Sequence, residues 1–247
     1  MSETIIRQLA PSLCIFSRPF KRFGILPVGG RSTAIKLQNG DVWVLASTTL
    51  DEPTKTKIDS MGNVKYIVSP DAEHDAFLNE FKSAYPDAKL IGVAPLAAKK
   101  TELVFDGGEH LSPLTFSGRN YDATTAYGRE PEGTAYGFEP EIEARYFPET
   151  VNHDVAFFHR ETKSLIQADL LWNLKGSGPS MLSGIMSPYS GLHKQFAKFT
   201  SSDRAATKIN VHKVAEWDFD MIIPCHGDVI ETEAKQAWKA AYEAYFD

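Results

Sequence analysis

The run Tyr66-Ile67-Val68-Ser69-Pro70-Asp71-Ala72-Glu73-His74 decides how this chain is to be read. An aromatic and two β-branched residues fit a strand, and Pro70, which has no amide hydrogen to give to a ladder, ends it. From Asp75 onward, Phe77, Leu78, Phe81, Ala84 and Tyr85 recur at helical spacing until Pro86 stops them. The run at 90–93 reads as the next strand. A strand therefore passes through a loop into a helix and back to a strand, and the loop carries Asp71, Glu73 and His74. Carboxylates and an imidazole delivered together at a strand end suit a divalent transition metal. The competing reading is helix capping, with Asp71 or Glu73 stabilising the helix N-terminus through its dipole. Spacing alone does not separate the two.

Working outward, residues 13–16, 33–37 and 42–46 read as strands, and Gln38-Asn39-Gly40-Asp41 joins the last two as a tight hairpin. Residues 155–158 and 164–168 form a second hairpin around Arg160-Glu161-Thr162-Lys163. Mixed helical sequence over 192–217 is followed by a strand at 221–223. A final helix has Ala234, Trp238, Ala241, Tyr242 and Tyr245 on one face, with Thr232 placed to cap it. The two halves share an order of hairpin, strand and helix, which predicts two packed sheets with helices outside. Residues 106–148 and 173–191 are rich in Gly, Pro and Ser and read as long loops of one domain spanning 1–247.

The chain has 26 basic and 32 acidic side chains, a formal charge of −6. That balance argues against nucleic-acid or anionic-membrane partners, which need a basic surface. Apolar runs such as Val42-Trp43-Val44-Leu45-Ala46 are far shorter than the roughly 20 residues of a membrane span. Two cysteines, Cys14 and Cys225, are too few for a disulfide framework, and the first residues lack a signal-peptide core. The expectation is a cytoplasmic protein acting on a small molecule.

Seven histidines are present, and a lone histidine is more often a satisfied core residue than a ligand. Besides His74, context raises His226, which follows an apolar strand in Met221-Ile222-Ile223-Pro224-Cys225-His226-Gly227-Asp228. Its bland alternative is a simple strand and turn. Asp169 ends the apolar strand Ile166-Gln167-Ala168 and precedes Leu170-Leu171-Trp172. A carboxylate among so many apolar neighbours needs a partner, because an unpaired buried charge is costly.

These three elements in this order resemble the metallo-β-lactamase superfamily. The resemblance runs from the opening strands to Pro224-Cys225-His226-Gly227, which matches the family's strand-end Pro-x-His-Gly. It implies an α/β fold, a four-layer αββα sandwich of two mixed sheets flanked by helices, with a metal site at the strand ends. Where the family reads Thr-His-x-His-x-Asp-His, this chain has Val68, Ser69, Pro70, Asp71, Ala72, Glu73 and His74. Glu149 stands at the next histidine position, in Glu149-Thr150-Val151-Asn152-His153, and Ala168-Asp169 looks like the family's bridging aspartate. The first metal position is thus depleted of imidazole. The second is implied to be Glu73, His74, Asp169 and His226, holding a divalent metal: zinc, with iron or manganese as alternatives.

The resemblance further implies a hydrolase of esters, thioesters, lactones or amides, with Asp71, Glu149 and His153 in catalytic roles. Asp71 and Glu149 could instead add a second, oxygen-rich metal position, or orient His74 or His226 from behind. Two alternatives stand beside it. Carboxylates in place of histidines also occur in iron-dependent redox members. The replacements, and Ala46-Ser47-Thr48-Thr49-Leu50 where the family has an Asp-x-Gly turn, would equally suit a non-catalytic binding protein that keeps the fold. Tyr121, Tyr127, Tyr136, Phe138 and Trp172 are candidate pocket walls, or else pack as a miniature core of their loops; His110 is a spare ligand candidate. Cys225 reads as inert packing beside His226, and Pro27-Val28-Gly29-Gly30 lacks the strand, helix and spacing of a nucleotide fingerprint.

Overall fold

The computed structural model describes residues 3–22, 24–105, 127, 135–175 and 186–246. The first half contributes β1 (Ile5–Ala10), β2 (Leu13–Arg18), β3 (Lys21–Arg22), β4 (Leu26–Pro27), β5 (Gly30–Lys36) and β6 (Asp41–Leu45). Then follow α1 (Glu52–Met61), β7 (Asn63–Val68), α2 (Leu78–Ala84), β8 (Lys89–Ile91) and α3 (Ala94–Lys99). The second half contributes β9 (Ile142–Phe147), β10 (Asp154–His159), β11 (Ser164–Gln167), α4 (Gly191–Phe199), α5 (Arg204–Glu216), β12 (Met221–Pro224) and α6 (Ala234–Ala241). One sheet has the order β1-β2-β5-β6-β7-β8, the other β12-β11-β10-β9, and β3 and β4 form a short ribbon. Both are mixed sheets: β6, β7 and β8 run parallel in the first, β11 and β12 in the second, and the other neighbours are antiparallel.

The strand alternation shows why the architecture has four layers. In β10, Val155 and Phe157 join the apolar core between the sheets, while Ala156 and Phe158 join a second core beneath α4, α5 and α6. β12 repeats the rule, with Ile223 inward and Ile222 outward. Trp43 of β6 meets Phe157 edge-to-face at 5.2 Å across the central seam. On the far side of the first sheet, Ile58 and Met61 of α1 and Leu78 and Phe81 of α2 close the outer layer. Helix, sheet, sheet and helix are therefore stacked, as the sequence pattern predicts. Among the described residues, no helix is long and apolar enough to cross a membrane.

Several local expectations need correction. Residues 142–147, assigned above to a loop, form the edge strand β9, whose Glu143 and Arg145 interrupt its apolar signal. The helical sequence over 192–217 is two helices, the second begun by Asp203, whose carboxylate accepts from the Ala205 and Ala206 amides. Thr232 does not cap α6: Glu233 occupies the cap position in a left-handed conformation, without a side-chain hydrogen bond. Tyr127, Tyr136 and Phe138 are buried in the core between the sheets; Tyr121 and His110 lie outside the described residues.

Strand direction brings the functional candidates together. The parallel pairs carry the C-terminal ends of β7, β11 and β12 to one rim of the sandwich. Backbone bonds stitch the sheets there: the Val155 amide donates to the Pro70 carbonyl at 2.7 Å and the Ala72 amide to the Asn152 carbonyl at 2.9 Å. The turn after β12 is equally constrained. Gly227 has φ +82°, and a Cβ there would lie 2.2 Å from the Asn173 carbonyl oxygen. Gly227→Ala should therefore destabilise the protein by about 2–3 kcal/mol, measured by urea unfolding; an unchanged midpoint would show that the turn can relax.

Candidate metal centre

Three strand ends deliver three ligating side chains. His74 comes from the loop after β7, Asp169 from the end of β11 and His226 from the end of β12, and one ligand atom of each lies within 4.8 Å of the other two. The loop holding His74 is built by Ser69 and Asp71. Ser69 Oγ donates to the Asp71 and His74 carbonyls, each at 3.1 Å. Asp71 is fully buried; its Oδ1 accepts from the Glu73 and His74 amides at 2.8 Å and its Oδ2 from His74 Nδ1 at 2.7 Å.

Hydrogen positions on the two rings follow from their partners. Gly29 offers only a carbonyl to His226 Nδ1, at 2.6 Å, so that nitrogen must be the donor. His74 Nδ1 likewise donates to Asp71. In the neutral rings both Nε2 atoms are then bare lone pairs, yet they face each other at 3.2 Å. Asp169 Oδ1 lies 3.5 Å from His226 Nε2 and accepts from Trp172 Nε1 at 2.9 Å. Its Oδ2 accepts from Asn152 Nδ2 at 2.7 Å and lies 3.5 Å from Arg22 Nη1. Acceptors thus converge on one point, and only a proton or a cation can satisfy them.

Charge follows the same geometry. Burial alone would lower the His74 pKa, but the Asp71 carboxylate overrides it and raises the group to about 9. Burial would raise Asp71, yet His74 and the two amides hold it below its ordinary value. His226, desolvated beside His74, is held below the usual imidazole range. Asp154 is pushed well above the carboxylate range by burial and by Asp71 and Asp169. It accepts from Thr150 Oγ1 at 2.8 Å and from the Asp169 amide at 3.2 Å, behind the ligand group.

No protein-family model and no curated protein sequence matches the chain. Solved structures do. A metallo-β-lactamase from Pontibacter korlensis is similar over 99% of this chain and 100% of that one, with TM-score 0.58 and 13% identity. The mono-zinc form of a metallo-β-lactamase from Pseudomonas aeruginosa matches over 99% and 97%, with TM-score 0.58 and 12% identity. The chain has the metallo-β-lactamase fold. A flavo-diiron protein from Thermotoga maritima shares the fold with TM-score 0.62 and 8% identity, and there this chain covers 99% of its own length but 63% of the other.

Within the metallo-β-lactamase fold, the residues singled out from sequence separate into two groups. His74, Asp169 and His226 converge. Glu73 does not join them: its side chain is 57% exposed and lies 3.7 Å from Lys99 Nζ, because the turn that buries Asp71 directs the next carboxylate outward. Asp71 has spent its oxygens on His74 and two amides, so it orients His74 and is not free as a base. Glu149 is buried away from the group, its carboxylate accepting from Asn210 Nδ2 at 2.9 and 3.1 Å. His153, at φ +54°, has its Nδ1 3.4 Å from the Tyr146 hydroxyl and is not among the converging ligands. Trp172 does stand at the site, through its bond to Asp169. Asn152, Arg22, Asp154 and the Gly29 carbonyl were not anticipated; each reaches the site only through tertiary contact.

The donor set fits a divalent metal. Two imidazoles and one carboxylate match sites that keep a position open for water or substrate. A cation at the facing Nε2 atoms must displace the His74 proton. Because that pKa is raised, the proton is held from pH 6.5, where an unfolded histidine titrates, up to about 9. In metal-free protein the stabilisation from this shift is fully present below pH 6.5 and is lost as pH rises through 9. Zn²⁺ binding at pH 7 should therefore release about one proton, and affinity should climb with pH until about 9. Calorimetry in buffers of different ionisation enthalpy measures the count, and a value near zero at pH 7 contradicts this protonation state. Asp71→Asn should weaken Zn²⁺ binding about 10–100-fold at unchanged stoichiometry.

Proposed function

We propose that this protein is a hydrolase that uses one divalent metal ion, held by His74, Asp169 and His226, to cleave a small ester, thioester, lactone or amide. The observation that carries the reading is the pair of Nε2 atoms facing each other at 3.2 Å beside the Asp169 carboxylate, with no more than the one His74 proton between them. A bound divalent ion supplies Lewis acidity, which polarises a carbonyl and lowers the pKa of water. The rest belongs to the chain. A cavity of about 230 Å³ opens on the group, and Phe20, Phe77 and Ala76 among its lining residues give an apolar wall for an acyl chain. Arg22 stands at the same cavity and brings positive charge to the side where an anionic oxygen develops.

Proton transfer falls to Glu73 in this reading. Asp71 and Glu149 have their oxygens occupied, whereas the exposed Glu73 carboxylate lines the cavity without serving the metal group. A residue argued from sequence to be a ligand is thereby reassigned to the rim, where a carboxylate can take a proton and pass it to solvent. Zinc is the expected ion for such chemistry, and iron or manganese would suit the same donors. An iron-dependent redox enzyme is the second reading, because two imidazoles and one carboxylate also suit non-haem iron.

Purified protein loaded with Zn²⁺ should turn over at least one member of a panel of small esters, thioesters, lactones and amides. His226→Ala should remove metal-dependent turnover, and Glu73→Gln should lower kcat about 100-fold while metal content stays constant. If the metal-loaded protein binds panel compounds without cleaving any, the non-catalytic reading takes its place.

A further inference from the structure

The opposite end of the sandwich holds a second convergence of lone pairs. Glu141 precedes β9, His159 ends β10 and Glu161 lies in the β10–β11 turn. A ring nitrogen of His159 and one carboxylate oxygen from each glutamate all lie within 4.8 Å of one another. His159 is completely buried, and its Nε2 has no hydrogen-bond partner. Ser164 Oγ donates to the Thr162 carbonyl at 3.1 Å, and Thr162 Oγ1 donates to Ser164 Oγ at 2.9 Å. With its hydrogen so placed, Thr162 Oγ1 accepts from His159 Nδ1, 2.8 Å away. In that tautomer the unpartnered Nε2 is a bare acceptor.

The carboxylates nearby are acceptors too. Both Glu141 oxygens take the Gln38 amide, at 3.1 and 3.0 Å, and Glu161 Oε1 takes the Ser12 hydroxyl at 3.0 Å. Neighbouring cations are committed elsewhere, Arg160 to Glu143 and Lys163 to Asp218. A buried ring nitrogen without a partner is rare in folded proteins, and an imidazole that carries one beside two carboxylates is suited to holding a cation.

We propose that Glu141, His159 and Glu161 form a second, structural site for a divalent transition-metal ion. One imidazole and two carboxylates suit zinc or manganese. The ion would staple the sheets, because Glu141 reaches the β5–β6 turn through Gln38 and Glu161 reaches the β1–β2 turn through Ser12. β10 begins at the first metal group and ends at this one, which places them roughly 17 Å apart and makes them independent.

Metal-free full-length protein titrated with Zn²⁺, and in parallel with Mn²⁺, tests the assignment by calorimetry and elemental analysis. The native chain should bind two ions of at least one of these metals, His226→Ala one, Glu161→Ala one and the double variant none. Glu161 is exposed, so its truncation spares the fold, and Ser12→Ala, which removes only the bond to Glu161, should keep both ions. In the His226→Ala protein, saturating metal should raise the melting temperature by roughly 5 °C, and adding Glu161→Ala should abolish the rise. The proposal is overturned if Glu161→Ala binds as many ions as the native chain, or if His226→Ala binds none and shows no thermal shift.

Discussion

Three carboxylates, Asp71, Asp154 and Asp169, are buried where the two sheets meet, and the site depends on how their charge is met. Buried charge is tolerated only when paired or neutralised, and each aspartate uses a different solution. Asp71 pairs with His74 and two amides. Asp169 takes the Trp172 indole, the Asn152 amide and the flank of Arg22. Asp154, with two like charges beside it, is driven towards its neutral form while Thr150 holds it. This division leaves one carboxylate edge and two imidazole nitrogens directed at a common point.

The same accounting of hydrogens separates a ligand from its support. Asp71 and Asp169 are both buried aspartates at strand ends and look equivalent by residue type. Asp71 has its acceptors filled from within its own loop, two of them by backbone amides that cannot leave without unwinding the turn. Asp169 is bound by side chains and keeps Oδ1 beside His226. Glu73 is the converse: chemically a good ligand, it follows a turn whose inward residue is already chosen, so it points to solvent and to Lys99.

These distinctions explain what was legible in the sequence. The run from Tyr66 to His74 revealed its strand, its loop and its helix because local periodicity and Pro70 determine them. His226 and Asp169 stood out because polar groups ending apolar strands need partners. The choice between Asp71 and Glu73 was not legible, since it turns on which of two nearby carboxylates meets the backbone amides. Arg22, Asn152 and Gly29 were invisible for another reason: they reach Asp169 and His226 across 147, 17 and 197 positions of sequence. β9 was obscured because an edge strand needs only a partial apolar face, and its charged residues answer to other elements, Arg145 to Asn210 and Glu143 to Arg160.

Glycines at the rim show how the fold maintains this arrangement. The stretch Pro27-Val28-Gly29-Gly30 carries no nucleotide fingerprint, yet its backbone is part of the site: Gly29 adopts φ +68° and turns its carbonyl onto His226 Nδ1. Val28 accepts the Gly227 amide in the same turn, and Asn173 accepts that of Asp228. His226 is thus fixed from both sides by main chain, which selects its tautomer without spending a side chain. With the ring direction set by backbone and the His74 direction set by Asp71, the separation of the two Nε2 atoms is a property of the folded scaffold. Such preorganisation is what a metal site with an open coordination position requires.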